Sequence, residues 1–176
     1  MDCKIPLFIN NLRRMPSRQA PAWFSLENYQ YMHTMSPHDW YMHLKARRES
    51  KALFDLIKTE PKLFNQSFSA KRFWELFENN LPTETNTQVK IIKSDLAYKQ
   101  RPTYIDYYIN YRTLPIFDLT HWHEVFDEPL PSNNEFAEWV FADLDKITRY
   151  QMNDAKKVVK RAMMECDALR YWSKSI

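Results

Sequence analysis

Apolar residues return at intervals of three and four over most of this 176-residue chain, the spacing that turns one face of a helix toward a core. Ser36-Pro37-His38-Asp39 opens the first such run, with serine placed to cap, proline at the first helical position and an acid at the third. Trp40, His43, Leu44 and Arg47 carry the pattern, followed by Ala52, Leu53 and Leu56, and the predicted helix covers 37–59 before Pro61. A second helix is predicted over 68–79, capped by Ser67 or Ser69, with Phe73, Trp74, Leu76 and Phe77 packing inward. Asn79-Asn80 would supply its left-handed end. A short helix over 120–127 comes next.

The run from Ser132 to Ile176 contains neither proline nor glycine. Ser132-Asn133-Asn134-Glu135 spells a capping box, the serine hydroxyl accepting from the Glu135 N–H while Glu135 reaches back to the Ser132 N–H. Phe136, Val140, Leu144 and Ile147 make one apolar stripe. Ala155, Val158, Val159, Ala162, Met163, Cys166 and Leu169 make another. Gln151 interrupts them and Asn153-Asp154 offers a fresh cap, so two helices are predicted, over 133–149 and 154–173.

Between the two halves the pattern changes. Val89 to Lys93 and Tyr104 to Arg112 are β-branched and aromatic, and in the second stretch Ile105, Tyr107, Ile109 and Tyr111 alternate with polar residues and tyrosines. With a turn near Lys99-Gln100-Arg101-Pro102, this predicts a β-hairpin. The expected fold is therefore α+β and mainly helical, several helices with a small antiparallel sheet or hairpin over 89–113. A single domain is expected, with a basic arm over residues 1–20 and a loop boundary at 82–88.

Composition narrows the chemistry. Glycine is absent, and with it every phosphate cradle or nucleophile elbow that needs glycine: P-loop, dinucleotide fingerprint, kinase loop and G-x-S-x-G. Two cysteines, Cys3 and Cys166, make neither a zinc site nor a disulfide framework, which points to a reducing, cytoplasmic setting. No cofactor is expected. No apolar run approaches the length of a membrane span, so a membrane partner is not expected either.

Charge is distributed in blocks. Residues 113–145 hold eight carboxylates and no lysine or arginine, whereas 146–174 hold eight basic residues against Asp154, Glu165 and Asp167. If the blocks fold against each other they neutralise; if they stay apart they present an acidic and a basic face to partners. Arg149, Lys156, Lys157, Lys160 and Arg161 would line the polar side of the last helix, a face that can hold phosphates. It can equally be the wet side of an amphipathic helix, the commoner role. Lys99, Arg101 and Arg112 lie among the tyrosines of the predicted hairpin, where cations and rings together can grip nucleic acid.

Inside the acidic block, Asp118, His121, His123 and Asp127 are ligand-type residues. His121 and His123 point about 200° apart on a helix, so the workable pairs are Asp118 with His121 or His123 with Asp127. Helix capping by Asp118 or Thr120 is the plainer reading.

Pro21-x-Trp23-Phe24-x-Leu26-x-x-Tyr29, followed by Trp40, Leu44 and Arg47, resembles the opening of an uncharacterised bacterial family associated with mobile elements. Asn134 to Trp139 resembles a later signature of that group. The resemblance implies neither an activity nor a site residue. The expectation is a non-enzymatic binding or accessory protein working by charge-complementary contact with a protein or nucleic-acid partner. The alternative is a metal-dependent hydrolase or nuclease using Asp118, His121, His123 and Asp127.

Overall fold

The computed structural model describes residues 18–63, 68–82, 103–144 and 149–169. Six α-helices are present among them: α1 (Pro37–Thr59), α2 (Ala70–Asn80), α3 (Thr103–Asn110), α4 (Thr113–Val125), α5 (Asn133–Val140) and α6 (Arg149–Glu165). Two 3-10 segments, Leu26–His33 and Pro61–Leu63, flank α1. No strand occurs among the described residues, so the fold there is all-helical rather than α+β.

The local signals that end a strand-or-helix ambiguity are caps. Ser36 accepts from the Asp39 N–H, and the Asp39 carboxylate accepts from the Ser36 N–H at 3.1 Å, a complete capping box with Pro37 at the first position. Ser69 caps α2 and Ser132 caps α5, the latter again with its reciprocal glutamate. Each such cap is worth about 1 kcal/mol.

Helix α4 is the centre of the molecule. Thr113 through Leu119 are buried without interruption, and His121, His123 and Val125 extend the burial. A helix apolar on all sides belongs in the middle of a bundle, and α4 packs against the other five helices and the segment Leu26–His33. Pro115 fits because it lies in the first turn, where its missing N–H would have had no partner within the helix. Around α4 the core has three lobes. One joins Trp40, Leu44, Ile105, Tyr108 and Leu114 to Val158 and Ala162 of α6 and to Cys166 and Leu169 just beyond it. A second joins Ile116, Leu119, Phe136, Val140, Met152 and Ala155. The third is aromatic: Phe54, Phe73, Trp74, Phe77 and Phe117 with Val125.

Several expectations are corrected here. Residues 103–110 form α3, not a strand, and the buried positions Ile105, Tyr108 and Ile109 follow helical spacing while Tyr107 is exposed. The other predicted strand, 89–93, and most of the 82–88 boundary lie outside the described residues. The helix expected at 120–127 begins seven residues earlier, at Thr113. The helix from Asn133 ends at Val140, and Leu144, expected on its inner stripe, is half exposed. Helix α6 already runs through Asn153 and Asp154, because the fully buried Met152 one turn before Ala155 continues the apolar stripe. Burial there outweighs the intrinsic capping preference of Asn and Asp. Helix α6 itself runs to Glu165, and residues 170–173 of the expected helix lie outside the described residues.

With no glycine available, the two residues at positive φ among the described residues are Arg112 (φ 50°) and Asp127 (φ 53°), not Asn79 or Asn80. Arg112 joins α3 directly to α4. Asp127 closes α4, and the Glu128 N–H donates back to the His123 carbonyl at 2.8 Å, the long bond of a Schellman ending.

Candidate functional site

Arg47 lies on the apolar face of α1, one turn beyond His43 and two beyond Trp40, and its side chain has no exposure. A charge placed there needs a partner of opposite sign. Asp118 of α4 provides it in fork geometry, with Nε to Oδ1 at 2.7 Å and Nη2 to Oδ2 at 2.6 Å. The Tyr29 hydroxyl donates to Oδ2 at 2.9 Å, and Arg47 Nη1 donates to the His43 carbonyl at 3.3 Å. Nη1 also stands 3.1 Å from His43 Nδ1, so the imidazole accepts there and is neutral. Burial and the neighbouring Arg47 push the His43 pKa down to about 3. Burial also works against the charge of Arg47, but the Asp118 carboxylate more than offsets it and holds the guanidinium above its ordinary pKa. Burial, and next to it Asp118, raises the pKa of Tyr29.

This network floors a cleft of about 420 Å³ between the N-terminal 3-10 segment, α1, α2 and α4. Its walls are mostly aromatic: Trp23, Tyr29, Tyr31, Trp74 and Phe77, with Glu78 and Asn28 among the lining residues.

A second concavity, of about 400 Å³, runs between α1 and α2 and is lined by Met42, Ala46, Leu53, Phe73, Leu76 and Phe77, with Lys45, Glu49 and Asn80 among its polar residues. Leu76 was expected to pack inward, and Leu53 and Leu56 to continue the pattern of the first helix. They are exposed instead, as is Met42. The charges beside them are paired within their own helices: Lys45 with Glu49 on α1, Lys71 with Glu75 on α2.

The residues singled out from the sequence land differently. Lys156 turns inward, donating to Asn133 Oδ1 at 2.7 Å with its ammonium 4.6 Å from the Phe136 ring centre, and burial lowers its pKa. Lys157 is held by Asp154 at 2.9 Å and Arg161 by Glu165 at 2.9 Å. Lys160 is exposed. The face is therefore basic but half neutralised by its own helix. Arg112 pairs with Asp143 across the α3–α4 joint. The Arg149 side chain, Lys99 and Arg101 lie outside the described residues.

Among the described residues, the ion pairs do not join the two charge blocks. Acidic residues of 113–145 pair with cations from elsewhere: Asp118 with Arg47, Glu124 with Lys51, Glu128 with Arg18 and Asp143 with Arg112. Asp167 in turn takes Arg48. Arg18, part of the expected basic arm, also donates to the Pro129 carbonyl at 2.7 Å, and its own carbonyl accepts from Trp139 Nε1 at 3.0 Å. That end of the arm is tied to the fold; residues 1–17 lie outside the described residues.

The alternative metal cluster is not assembled. Asp118 is occupied by Arg47 and Tyr29, while His121 lies in a ring of Phe54, Phe73, Trp74, Phe77 and Phe117 and bonds Ser50 Oγ at 3.2 Å. His123 is buried against Trp122, and burial followed by Arg18 lowers its pKa. Asp127 is exposed beyond the helix end. Among the described residues no group of three or more His, Cys, Asp or Glu side chains could hold a metal ion. No helix among them is long and apolar enough to cross a membrane.

Searches of the chain against protein-family models, curated proteins and solved structures return no match.

Sequence reasoning missed both concavities. The Arg47–Asp118 pair did leave a trace: an arginine at the i+7 position of an apolar stripe announces a buried charge in search of a carboxylate.

Proposed function

We propose that this chain is a non-enzymatic, intracellular binding protein that holds an amphipathic helical segment of a protein partner in the groove between α1 and α2. The observation that carries the reading is the exposure of the apolar side chains Met42, Leu53 and Leu76 that line it, Leu76 at a position the sequence pattern turns inward. With Leu56, one turn beyond Leu53 on α1, and Phe68, which lie outside the groove lining, they are between 40% and 53% exposed, on the order of 400 Å² of apolar surface in all.

The occupant follows from area and charge. A standard interface buries about 800 Å² per partner, roughly twice what this face offers, so a second copy packed through it alone falls short. A single helix laid along Met42 to Leu53, roughly 16 Å of α1, fits the groove's length. Because Lys45–Glu49 and Lys71–Glu75 neutralise each other, recognition is apolar rather than charge-complementary. The bacterial, mobile-element setting rests on the sequence resemblance alone.

A photo-crosslinking amino acid at position 76, in the cell that carries this gene, tests the reading. One discrete cross-linked protein is expected at 76, none with the label at the exposed Lys160 position. Cross-linking of the chain to itself at 76 would mean a homodimer and overturn the helix-partner reading; labelling of nucleic acid or protein only at 160 would return the basic face to first place.

A further inference from the structure

We propose that the cleft floored by Arg47 and Asp118 is a second binding site, for an organic cation of the methylated-ammonium class, held against tryptophan and tyrosine rings with the Glu78 carboxylate at its edge. The cleft adjoins the α1–α2 groove at Phe77 and Pro82 but is otherwise lined by different residues, and the proposal stands independently of the groove reading.

The charge balance of the lining decides the sign of the ligand. Among the described lining residues Arg47 is the one cation; Asp118 accepts from its Nε and Nη2, and its Nη1 donates to His43. The Arg47 charge is thereby matched by Asp118, and the pair offers an anion no net positive charge. His43 is neutral in its contact with Arg47. What remains is Glu78, exposed at the edge, so the cleft carries one net negative charge.

The hydrogen-bond balance then decides which cation. A primary ammonium brings three N–H donors that each need an acceptor. In the floor, Asp118 Oδ1 accepts from Arg47 and Oδ2 from both Arg47 and Tyr29. On the wall, Glu78 Oε1 accepts from Trp74 Nε1 at 2.7 Å. The Asp118 carboxylate already accepts three hydrogen bonds, and among the described lining residues Asn28 and the second Glu78 oxygen add acceptors only at the exposed edge. A quaternary ammonium has no N–H to satisfy and is attracted by ring faces within about 6 Å of their centres, tryptophan best of all. The walls supply rings of that kind: Trp23, Tyr29, Tyr31 and Trp74 all line the cleft. A cleft of about 420 Å³ is within the usual range for small-molecule sites.

Calorimetric titration of the full chain with choline, against its uncharged carbon isostere 3,3-dimethylbutanol, tests this. Choline is expected to bind at least tenfold more tightly than the isostere. Glu78→Gln, an exposed change that leaves the fold alone, is expected to weaken choline severalfold, and Trp23→Ala by tenfold or more. Should Trp23→Ala unfold, Trp23→Leu keeps the apolar volume while removing the ring. Choline binding indistinguishable from that of the isostere, no choline binding at about 10 mM, or binding unmoved by Glu78→Gln and by loss of the Trp23 ring would each overturn the proposal. The fate of the groove reading is unaffected by any of these results, since Leu76 lies outside the cleft lining.

Discussion

Replacing Asp118 by Ala removes three hydrogen-bonding contacts at once, two from Arg47 at 2.6 and 2.7 Å and one from Tyr29 at 2.9 Å. It leaves a guanidinium with no exposure and no counter-charge. Breaking one side of a buried pair costs about 3–5 kcal/mol, a large share of the roughly 5–15 kcal/mol by which a domain is stable. In urea, with a slope of about 2 kcal/mol per M, the midpoint should fall by roughly 1.5–2.5 M. The double variant Asp118→Leu, Arg47→Met should recover most of this loss, because apolar residues of similar volume can replace a buried pair at little net cost. Unfolding of the unaltered chain, Asp118→Leu, Arg47→Met and the double variant, followed by circular dichroism at pH 7, closes the cycle. A loss below about 1 kcal/mol for Asp118→Ala, or a double variant as unstable as the sum of the two single ones, would refute the argument that the pair is desolvated and mutually dependent.

Three further outcomes follow from named groups. The folded-state pKa of His43, about 3, lies below its ordinary 6.5, so the unfolded chain holds the extra proton between those values. Stability should therefore fall as pH drops from 6.5 toward 3, by on the order of 4 kcal/mol, and His43→Phe should flatten that part of the urea-midpoint profile. Asp127 sits at φ 53° on an exposed helix end; Asp127→Gly should raise stability by about 0.5 kcal/mol and Asp127→Val lower it by more than about 1 kcal/mol, measured by thermal unfolding. Ser132→Ala removes one half of the α5 capping box and should cost about 1 kcal/mol by the same measurement.

The parts of this fold legible in the sequence are those fixed by local chemistry. The Ser36-Pro37-x-Asp39 and Ser132-x-x-Glu135 signatures placed two helix starts to the residue, since a cap depends on side chains three positions apart. The stripe at Ala155, Val158, Ala162, Cys166 and Leu169, in α6 and just beyond it, was visible for the same reason. Residues 104–112 misled because Ile105 and Ile109 share a face at either a period of two or one of 3.6, and tyrosines at 104, 107, 108 and 111 cover every direction. Only the burial of Tyr108 and exposure of Tyr107 separate the two. Helix α4 was half hidden because a helix buried all round shows no polar side, and hence no period. The candidate sites were the least legible part. His121, His123 and Asp118 looked like ligands in one dimension, but each points to a different neighbour in three. The groove could not be read at all, since Leu53 and Leu76 have the same spacing whether they face a core or a partner.

The most direct test of the groove is a co-purification from the native cell with three forms of the full chain: unaltered, Leu53→Asp with Leu76→Asp, and Lys157→Glu with Lys160→Glu. Both sets of positions are exposed, so the fold should survive each change within about 0.5 kcal/mol. The account predicts that the protein captured by the unaltered chain, and cross-linked at position 76, is lost with the groove variant and retained with the charge reversal. Loss with the charge reversal and retention with Leu53→Asp, Leu76→Asp would contradict it.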